Sequence, residues 1–249
     1  MRIAITRALS PEIGRCELSY IDRQPIDVER AERQHEEYER LLQMHGCTIV
    51  HAAATPEMAD GVFVEDAAVV LDDVAIITRP GAESRRGETE SIAAVLKRFR
   101  KLRRVEAPGT LDGGDVLAIN GKLHIGISQR SNEEAVEQVG ANAIRFRGCL
   151  HLKSAVTQIA ERTLLLNPEW VDARQFPGFE TVAVDPREAF GANALRLDDI
   201  LIYSASYPNT LRRLKSRGFR VETLEVDELE KAEAGVTCCS LIFKSDSVR

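Results

Sequence analysis

Residues 235–243 read Gly235-Val236-Thr237-Cys238-Cys239-Ser240-Leu241-Ile242-Phe243, in which two adjacent thiols open an apolar run with β-branched and aromatic side chains. This composition predicts a buried strand near the end of the chain. Because neighbouring side chains of a strand point to opposite faces, one thiol would pack inside while the other meets a cavity. The alternative is that both thiols are small buried hydrophobic residues.

The rest of the chain repeats one order of elements, strand, strand, helix, strand, at intervals of roughly 40 to 50 residues. The Asn120-Gly121 pair between two apolar runs is a strong hairpin signal within one of these units. Four units lie inside the chain, each with its elements in that order: 62–71, 74–78, helix 84–102 and 104–107; 115–119, 122–126, a helix opening at Ser131-Asn132 and 143–146; 154–160, 163–166, a short helix 168–174 and 180–184; 194–197, 200–204, helix 208–217 and 219–225.

A fifth unit needs both ends of the chain. Residues 239–243 supply its first strand, 2–6 its second, 28–45 its helix, capped by Asp27, and 47–51 its third strand. Such a closure joins a radial array into a ring without a bare sheet edge. The sequence therefore predicts a single α/β domain over residues 1–249, a five-bladed propeller of ββαβ repeats around a pseudo-five-fold axis. The proline-containing segment 8–25 is interpreted as a long loop that acts as a lid.

Composition narrows the class of protein. The chain has 249 residues, 44% hydrophobic and 29% charged, with a net charge of −6, which is typical of a globular protein and argues against nucleic acid as a partner. No apolar run approaches the length of about 20 residues that spans a bilayer, so we expect no membrane association. The five cysteines are odd in number and widely spaced, which favours reduced thiols in a cytoplasm.

In a ring of equivalent units, the residues that begin each first strand converge near the axis. A cysteine, a histidine and several carboxylates meet there, which is the set needed for a thiol nucleophile, a proton shuttle and an orienting acid. His151 follows a glycine turn, whereas the other histidines lie in predicted helices and strands. These positions are Asp60 with Glu65-Asp66, Asp112-Gly113-Gly114-Asp115, Gly148-Cys149-Leu150-His151, Gly191-Ala192-Asn193 and Thr237-Cys238.

Several of these residues also have a purely structural interpretation. Asp112 to Asp115 could form a turn with solvated carboxylates, in which the glycines permit close backbone approach. Glu65 and Asp66 interrupt an apolar strand, and buried charge there needs a cationic partner, either a structural arginine or a substrate.

Six motifs carry a family resemblance that covers nearly the whole chain. They are Ala31-Glu32-Arg33-Gln34-His35, Phe63-Val64-Glu65-Asp66, Thr78-Arg79-Pro80-Gly81 with Ser84-Arg85-Arg86, Thr110-Leu111-Asp112-Gly113-Gly114-Asp115-Val116, Leu150-His151-Leu152-Lys153-Ser154 and Thr237-Cys238-Cys239-Ser240. Together they resemble the dimethylarginine dimethylaminohydrolases of the guanidino-group modifying (pentein) superfamily. The resemblance implies a five-bladed propeller that hydrolyses Nω-methylated arginines to citrulline and methylamine or dimethylamine without a cofactor.

The resemblance also implies roles for individual residues. Cys238 would be the nucleophile, His151 the general acid and base, and Asp112 the residue that orients His151. Zinc is not required, although an adventitious zinc ion at Cys238 would inhibit. The substrate contacts would be Glu65 and Asp66 to the guanidinium, Arg85 and Arg130 to the α-carboxylate, and Asp60 with the backbone carbonyls of Leu18 and Ala232 to the amino end.

The chain departs from some family members at Glu233-Ala234, where they have an aspartate, so discrimination between substrates is open.

One alternative function is an arginine or agmatine deiminase on the same scaffold. Another is a non-catalytic propeller that acts as a binding protein. We expect a small-molecule partner, and the sequence is compatible with a homodimer.

Overall fold

The computed structural model of the chain describes residues 1–245. Across that range the strands form five sheets of three strands each. In every sheet the first pair of strands is antiparallel and the second pair is parallel. The strands are β1 (Arg2–Thr6), β2 (Cys47–His51), β3 (Ala68–Val70), β4 (Val74–Ile77), β5 (Lys101–Arg104), β6 (Val116–Ile119), β7 (Lys122–Ile127), β8 (Asn142–Arg145), β9 (Val156–Ala160), β10 (Thr163–Leu166), β11 (Glu180–Ala183), β12 (Ala194–Leu197), β13 (Ile200–Ser204), β14 (Arg220–Leu224) and β15 (Leu241–Lys244).

Helices connect the second and third strands of most blades. The longest, α1, begins after Asp27, whose side chain accepts a hydrogen bond from Arg30 N–H at 3.0 Å and so caps the helix as predicted. The α-helices are α1 (Val28–Met44), α2 (Glu88–Leu96), α3 (Glu133–Val139), α4 (Leu152–Ala155), α5 (Pro208–Ser216) and α6 (Asp227–Glu230).

The two ends of the described chain meet in one blade. Strand β15 pairs antiparallel with β1, in a register from Arg2 opposite Lys244 to Ile5 opposite Leu241, and β1 pairs parallel with β2. The other four blades use consecutive strands. The predicted five-bladed α/β propeller is confirmed.

The hydrophobic core lies between the blades. Buried apolar side chains in residues 1–245 form five clusters, and each cluster joins two neighbouring blades. Strand β1 shows how this arises, because Ile3 and Ile5 face one cluster while Ala4 faces another. The second strands, such as β4 and β13, are covered on both faces and read as apolar runs, whereas third strands such as β5 are polar and largely exposed.

Four predicted elements are wrong in detail. The predicted strand 62–71 is a 3-10 helix (Val64–Ala67) followed by the short β3. The predicted short helix 168–174 is a turn with a 3-10 helix at Ala173–Gln175, because Val171 bridges to Phe146 instead. The strand predicted at 104–107 lies earlier, as β5, because α2 already ends at Leu96.

The fourth error concerns the last strand. Pairing with β1 starts only at Leu241, since the side chains of Thr237 and Ser240 are bound to other parts of the fold. Among the described helices, none combines the length and apolar character needed to cross a membrane.

Candidate active site

A turn precedes the first strand of each blade, and these turns meet around the axis. Hydrogen bonds join them across blades: Glu65 N–H donates to the Cys238 carbonyl at 3.1 Å, and the Asn193 amide donates to the Lys153 carbonyl at 3.2 Å. A cavity of about 270 Å³ adjoins this ring and is lined by residues from the first strands of all five blades. Glu65, Lys153 and Thr237 line this cavity, whereas Cys238 and His151 are not part of its lining.

Cys238 lies in a turn just before β15, so the strand position predicted for the two thiols is wrong. Its Sγ accepts a hydrogen bond from Gly235 N–H at 3.3 Å, and its own N–H donates to the Gly235 carbonyl at 3.1 Å. Burial and the nearby carboxylates of Glu65 and Asp66 raise the pKa of Cys238. Cys238 is therefore a neutral thiol at neutral pH, whereas Cys239 is packed in the core with 3% of its surface exposed.

His151 lies directly before α4 and is held between two carboxylates. Its Nε2 is 3.1 Å from Asp112 Oδ2, and its Nδ1 is 3.8 Å from Asp66 Oδ1. The ring packs on Gly114, where an added Cβ would lie 2.7 Å from His151 Nδ1, so only glycine fits. Burial alone would lower the pKa of His151, but Asp66, Asp112 and Asp115 outweigh it and raise that pKa to about 9. The ring is therefore an imidazolium at neutral pH.

Asp112 and a further carboxylate, Asp115, fix the backbone and the position of the histidine loop. Asp112 is fully buried, and its Oδ1 accepts a hydrogen bond from Gly81 N–H at 3.0 Å. Asp115 accepts from the Ser131 hydroxyl at 2.7 Å and from Leu152 N–H at 2.9 Å, which fixes the start of α4 beside His151. Burial raises the pKa of Asp115 to about 6. The histidine is thus oriented through both its ring and its backbone.

Glu65 and Asp66 each have a cationic partner within the protein. Lys153 Nζ lies 2.7 Å from Glu65 Oε1, and Arg85 Nη1 lies 2.7 Å from Asp66 Oδ2. Burial would raise the pKa of Asp66, but the charges of His151 and Arg85 lower it to about 2. Asp66 is therefore an anion that faces both the imidazolium and the interior of the site.

The two arginines predicted to bind a carboxylate differ in what they contact. Arg85 is 3% exposed and donates to Asp66 and to both oxygens of Glu88, at 3.2 and 2.9 Å. Arg130 is also buried, yet its Nη1 has no hydrogen-bond partner among residues 1–245 and lies 3.8 Å from Asp112 Oδ2. The structure thus uses Arg85 as an internal counter-ion and leaves a donor of Arg130 available to a ligand.

The remaining predicted substrate contacts are Leu18, which lies in the lid, and Asp60 and Ala232, which lie outside it. Leu18 is half-buried and packs against the apolar cluster that includes Ala232 and borders Cys238. The lid is attached on one side by Asp60, whose two carboxylate oxygens accept from Glu17 N–H at 3.3 and 3.1 Å. Burial raises the pKa of Asp60. Leu18 therefore shares an apolar cluster with Ala232 and Cys238, and Asp60 anchors the residue that precedes Leu18.

Comparison with known proteins places this geometry in a family. No family model matches the sequence. An N(G),N(G)-dimethylarginine dimethylaminohydrolase of Pseudomonas aeruginosa is 36% identical over 228 residues, which are 87% of this chain and 90% of that protein. The chain belongs to the dimethylarginine dimethylaminohydrolase family.

Two solved dimethylarginine dimethylaminohydrolase structures share the fold over nearly the full chain. A cysteine-to-serine variant of the P. aeruginosa protein, complexed with citrulline, matches with a TM-score of 0.91 and 33% identity, covering 97% of this chain and 98% of that one. A histidine-to-glycine variant, an adduct with S-methyl-L-thiocitrulline, matches with a TM-score of 0.92 and 33% identity, covering 97% and 99%.

Sequence reasoning missed three residues of this dimethylarginine dimethylaminohydrolase site. Lys153 and Thr237 both bind Glu65, the hydroxyl of Thr237 donating to Oε2 at 2.7 Å, and Glu88 neutralises Arg85. Lys153 and Thr237 stand inside motifs that carry the resemblance, which was a usable signal. Glu88 gave no sequence signal, because an acidic residue near the start of a helix is common.

Within the described part of the chain, one group of side chains has the spacing of metal ligands: Asp66, Asp112 and His151, whose ligand atoms lie within 4.8 Å of one another. Their charges are already balanced by the imidazolium and by Arg85, so they form an ion-pair network. Cys238 is not a member of this group, and zinc at Cys238 stays a prediction. The homodimer and the cytoplasmic location stay predictions as well.

His151 should titrate far from its ordinary pKa of 6.5, with a midpoint near pH 9 in NMR spectra of the Cys238→Ser protein. Because the folded-state pKa is raised, the ion pair stabilises the fold fully below pH 6.5, and this contribution is lost as the pH rises through about 9. Asp112→Asn should lower the midpoint by at least about one pH unit. A midpoint near 6.5 for His151 in the Cys238→Ser protein would contradict the ion-pair assignment.

Proposed function

We propose that this chain hydrolyses Nω-methylated arginines, asymmetric dimethylarginine and monomethylarginine, to citrulline and dimethylamine or methylamine. The observation that carries the proposal is the buried His151–Asp112 hydrogen bond beside the Asp66 carboxylate, on a ring of turns that hydrogen bonds join to the turn of Cys238. The family of the relatives and the citrulline complex of the P. aeruginosa structure support it. The substrate is therefore a small cationic amino acid.

The substrate's guanidinium would lie against Glu65 and Asp66. Carboxylates match the planar fork of guanidinium donors, and two of them fix the orientation of the central carbon. Asp66 offers Oδ1, which accepts only one backbone hydrogen bond, from Gly114 N–H at 2.9 Å. Lys153 pairs with Glu65 and Arg85 pairs with Asp66, so each carboxylate has a cationic partner before the substrate arrives.

The amino-acid end of the substrate would lie under the lid. The unpartnered Nη1 of Arg130 is suited to the α-carboxylate, since a buried guanidinium donor without a partner is costly. Arg85 would reach the same carboxylate only by giving up part of its contact with Asp66 or Glu88. The carbonyls of Leu18 and Ala232, with Asp60, would accept from the α-ammonium.

Substrate charge would activate the nucleophile. The raised pKa of Cys238 keeps the free thiol protonated, and a guanidinium placed beside it favours the thiolate by direct attraction. The thiol proton then leaves to solvent as the cation binds. The reactive thiolate therefore forms only when there is a substrate to attack.

The reaction would proceed in two halves. In the first, Cys238 Sγ forms a bond to the guanidinium carbon, and the tetrahedral adduct collapses as His151 donates its proton to the departing amine. In the second, the now neutral His151 takes a proton from water, whose oxygen attacks the thiouronium carbon. The C–S bond then breaks as the hydroxyl of the adduct loses its proton to solvent, which returns the thiolate and releases citrulline.

Steady-state assays with four guanidines test the proposal. We expect kcat/KM for asymmetric dimethylarginine and monomethylarginine to exceed that for arginine and for agmatine, because the assignment is to a methylarginine hydrolase. Citrulline and the released amine are measured together, so that ammonia and methylamines are distinguished. A preference for arginine or agmatine with ammonia release would identify a deiminase instead, and no turnover of any guanidine would favour a binding protein.

A further inference from the structure

The side-chain carboxylate of Glu233 accepts hydrogen bonds from the backbone of the lid. Glu233 Oε2 accepts from Ser19 N–H at 2.9 Å, and Oε1 accepts from Tyr20 N–H at 2.5 Å and from Ile21 N–H at 2.9 Å. No salt bridge involves Glu233 within the part of the chain that the structure describes. Hydrogen bonds from three consecutive lid amides therefore stabilise the negative charge of Glu233.

These contacts set the direction of a carbonyl in the site. The Ser19 N–H and the Leu18 carbonyl belong to one planar trans peptide, so they point in opposite directions. Because the N–H is directed at Glu233, the Leu18 carbonyl points away from that carboxylate. Two amides earlier, Glu17 N–H donates to Asp60, which anchors the chain just before Leu18.

The backbone of Glu233 fixes a second carbonyl in the same way. Glu233 N–H donates to the Glu230 carbonyl at 3.0 Å, so the Ala232 carbonyl, in the same peptide, points away from Glu230. Glu233 itself has a positive φ of 58°, which turns the chain sharply between α6 and the nucleophile turn. One residue thus orients both carbonyls assigned to the amino end of the substrate.

We propose that Glu233 is a positioning residue that makes the site select substrates with an α-amino group. It does so by fixing the orientations of the peptides that carry the Leu18 and Ala232 carbonyls, which would accept from the ammonium. This inference rests on the proposed function, because it assumes an amino-acid substrate. Its structural part, the attachment of residues 19–21 to Glu233, is independent of any activity.

The first experiment measures that attachment by hydrogen exchange of the backbone amides of residues 19–21. Glu233→Gln keeps the side-chain length and the left-handed backbone, but places an NH₂ group against at least one lid amide. We expect exchange of these amides to accelerate by about tenfold or more. Glu90→Gln, which removes an exposed partner of Arg104 elsewhere, is the matched control and should leave exchange at 19–21 unchanged.

The second experiment measures selectivity with monomethylarginine and its des-amino analogue, 5-(N′-methylguanidino)pentanoic acid. Glu233→Gln should raise KM for monomethylarginine about tenfold, while KM for the analogue and both kcat values change less than about threefold. Glu233→Asp keeps the charge but shortens the reach, and should shift KM in the same direction by a smaller factor. It serves as the second variant should the first fold poorly.

The outcomes separate this inference from the proposed function. Equal KM increases for both compounds would overturn the selective role of Glu233, because loss of lid closure alone affects them alike. Unchanged exchange at residues 19–21 would overturn the attachment itself. If the parent protein hydrolyses no methylated arginine, the proposed function fails and with it the selective role, while the exchange result still decides whether Glu233 holds the lid.

Discussion

Replacing Cys238 with serine should lower kcat for asymmetric dimethylarginine by at least about 10⁴-fold, because a hydroxyl does not supply an accessible anion at neutral pH. The variant should keep its fold and its substrate affinity. Serine Oγ still accepts from Gly235 N–H in the turn, and the carboxylates that hold the guanidinium are unchanged. Citrulline formation gives the rate, and calorimetry gives the affinity.

Cys239→Ser is the matched control, since it makes the same exchange one residue away. Cys239 is buried in the core, so this variant should lose about 1 to 2 kcal/mol of unfolding free energy and retain turnover. Intact-mass analysis of the quenched parent protein should show a substrate adduct on Cys238. Full activity of Cys238→Ser would refute covalent catalysis, and an inactive Cys239→Ser beside it would reassign the nucleophile.

The five-bladed propeller could be predicted from sequence because its strand–strand–helix–strand pattern repeats along the chain. The first and second strands of each blade lie mostly between the apolar clusters and so leave apolar runs in the sequence, and the repeat survives errors of several residues at its boundaries. The placement of Cys238 and His151 on one ring of turns followed from the symmetry of the repeat alone. No pairwise contact had to be known for that step.

The turns before the first strands could not be predicted from the same signal. Val64–Ala67 and the turn that contains Cys238 bury apolar side chains next to apolar strands, so a strand pattern describes them equally well. What bends them are bonds between distant parts of the chain. Thr237 is 172 positions from its partner Glu65, and Ser19 is 214 positions from Glu233.

Arg85 and its two carboxylate partners give the second large expected effect. Arg85→Met should reduce the free energy of unfolding by about 3 to 5 kcal/mol, because it leaves Asp66 and Glu88 as buried, uncompensated anions. Denaturant unfolding followed by circular dichroism measures the loss. Adding Glu88→Gln to Arg85→Met should restore part of the stability, since one of the two unpaired charges is then removed.

Arg130→Met is the matched comparison. It makes the same exchange at a buried arginine whose Nη1 has no hydrogen-bond partner within residues 1–245. It should change stability far less than Arg85→Met and should raise KM for monomethylarginine by about tenfold or more, through loss of a charge-assisted hydrogen bond to the carboxylate. With Nω-methylagmatine, which lacks the carboxylate, KM should not change. Similar stability losses in both variants would contradict the internal role of Arg85, and an unchanged KM for monomethylarginine in Arg130→Met would remove Arg130 from the binding site.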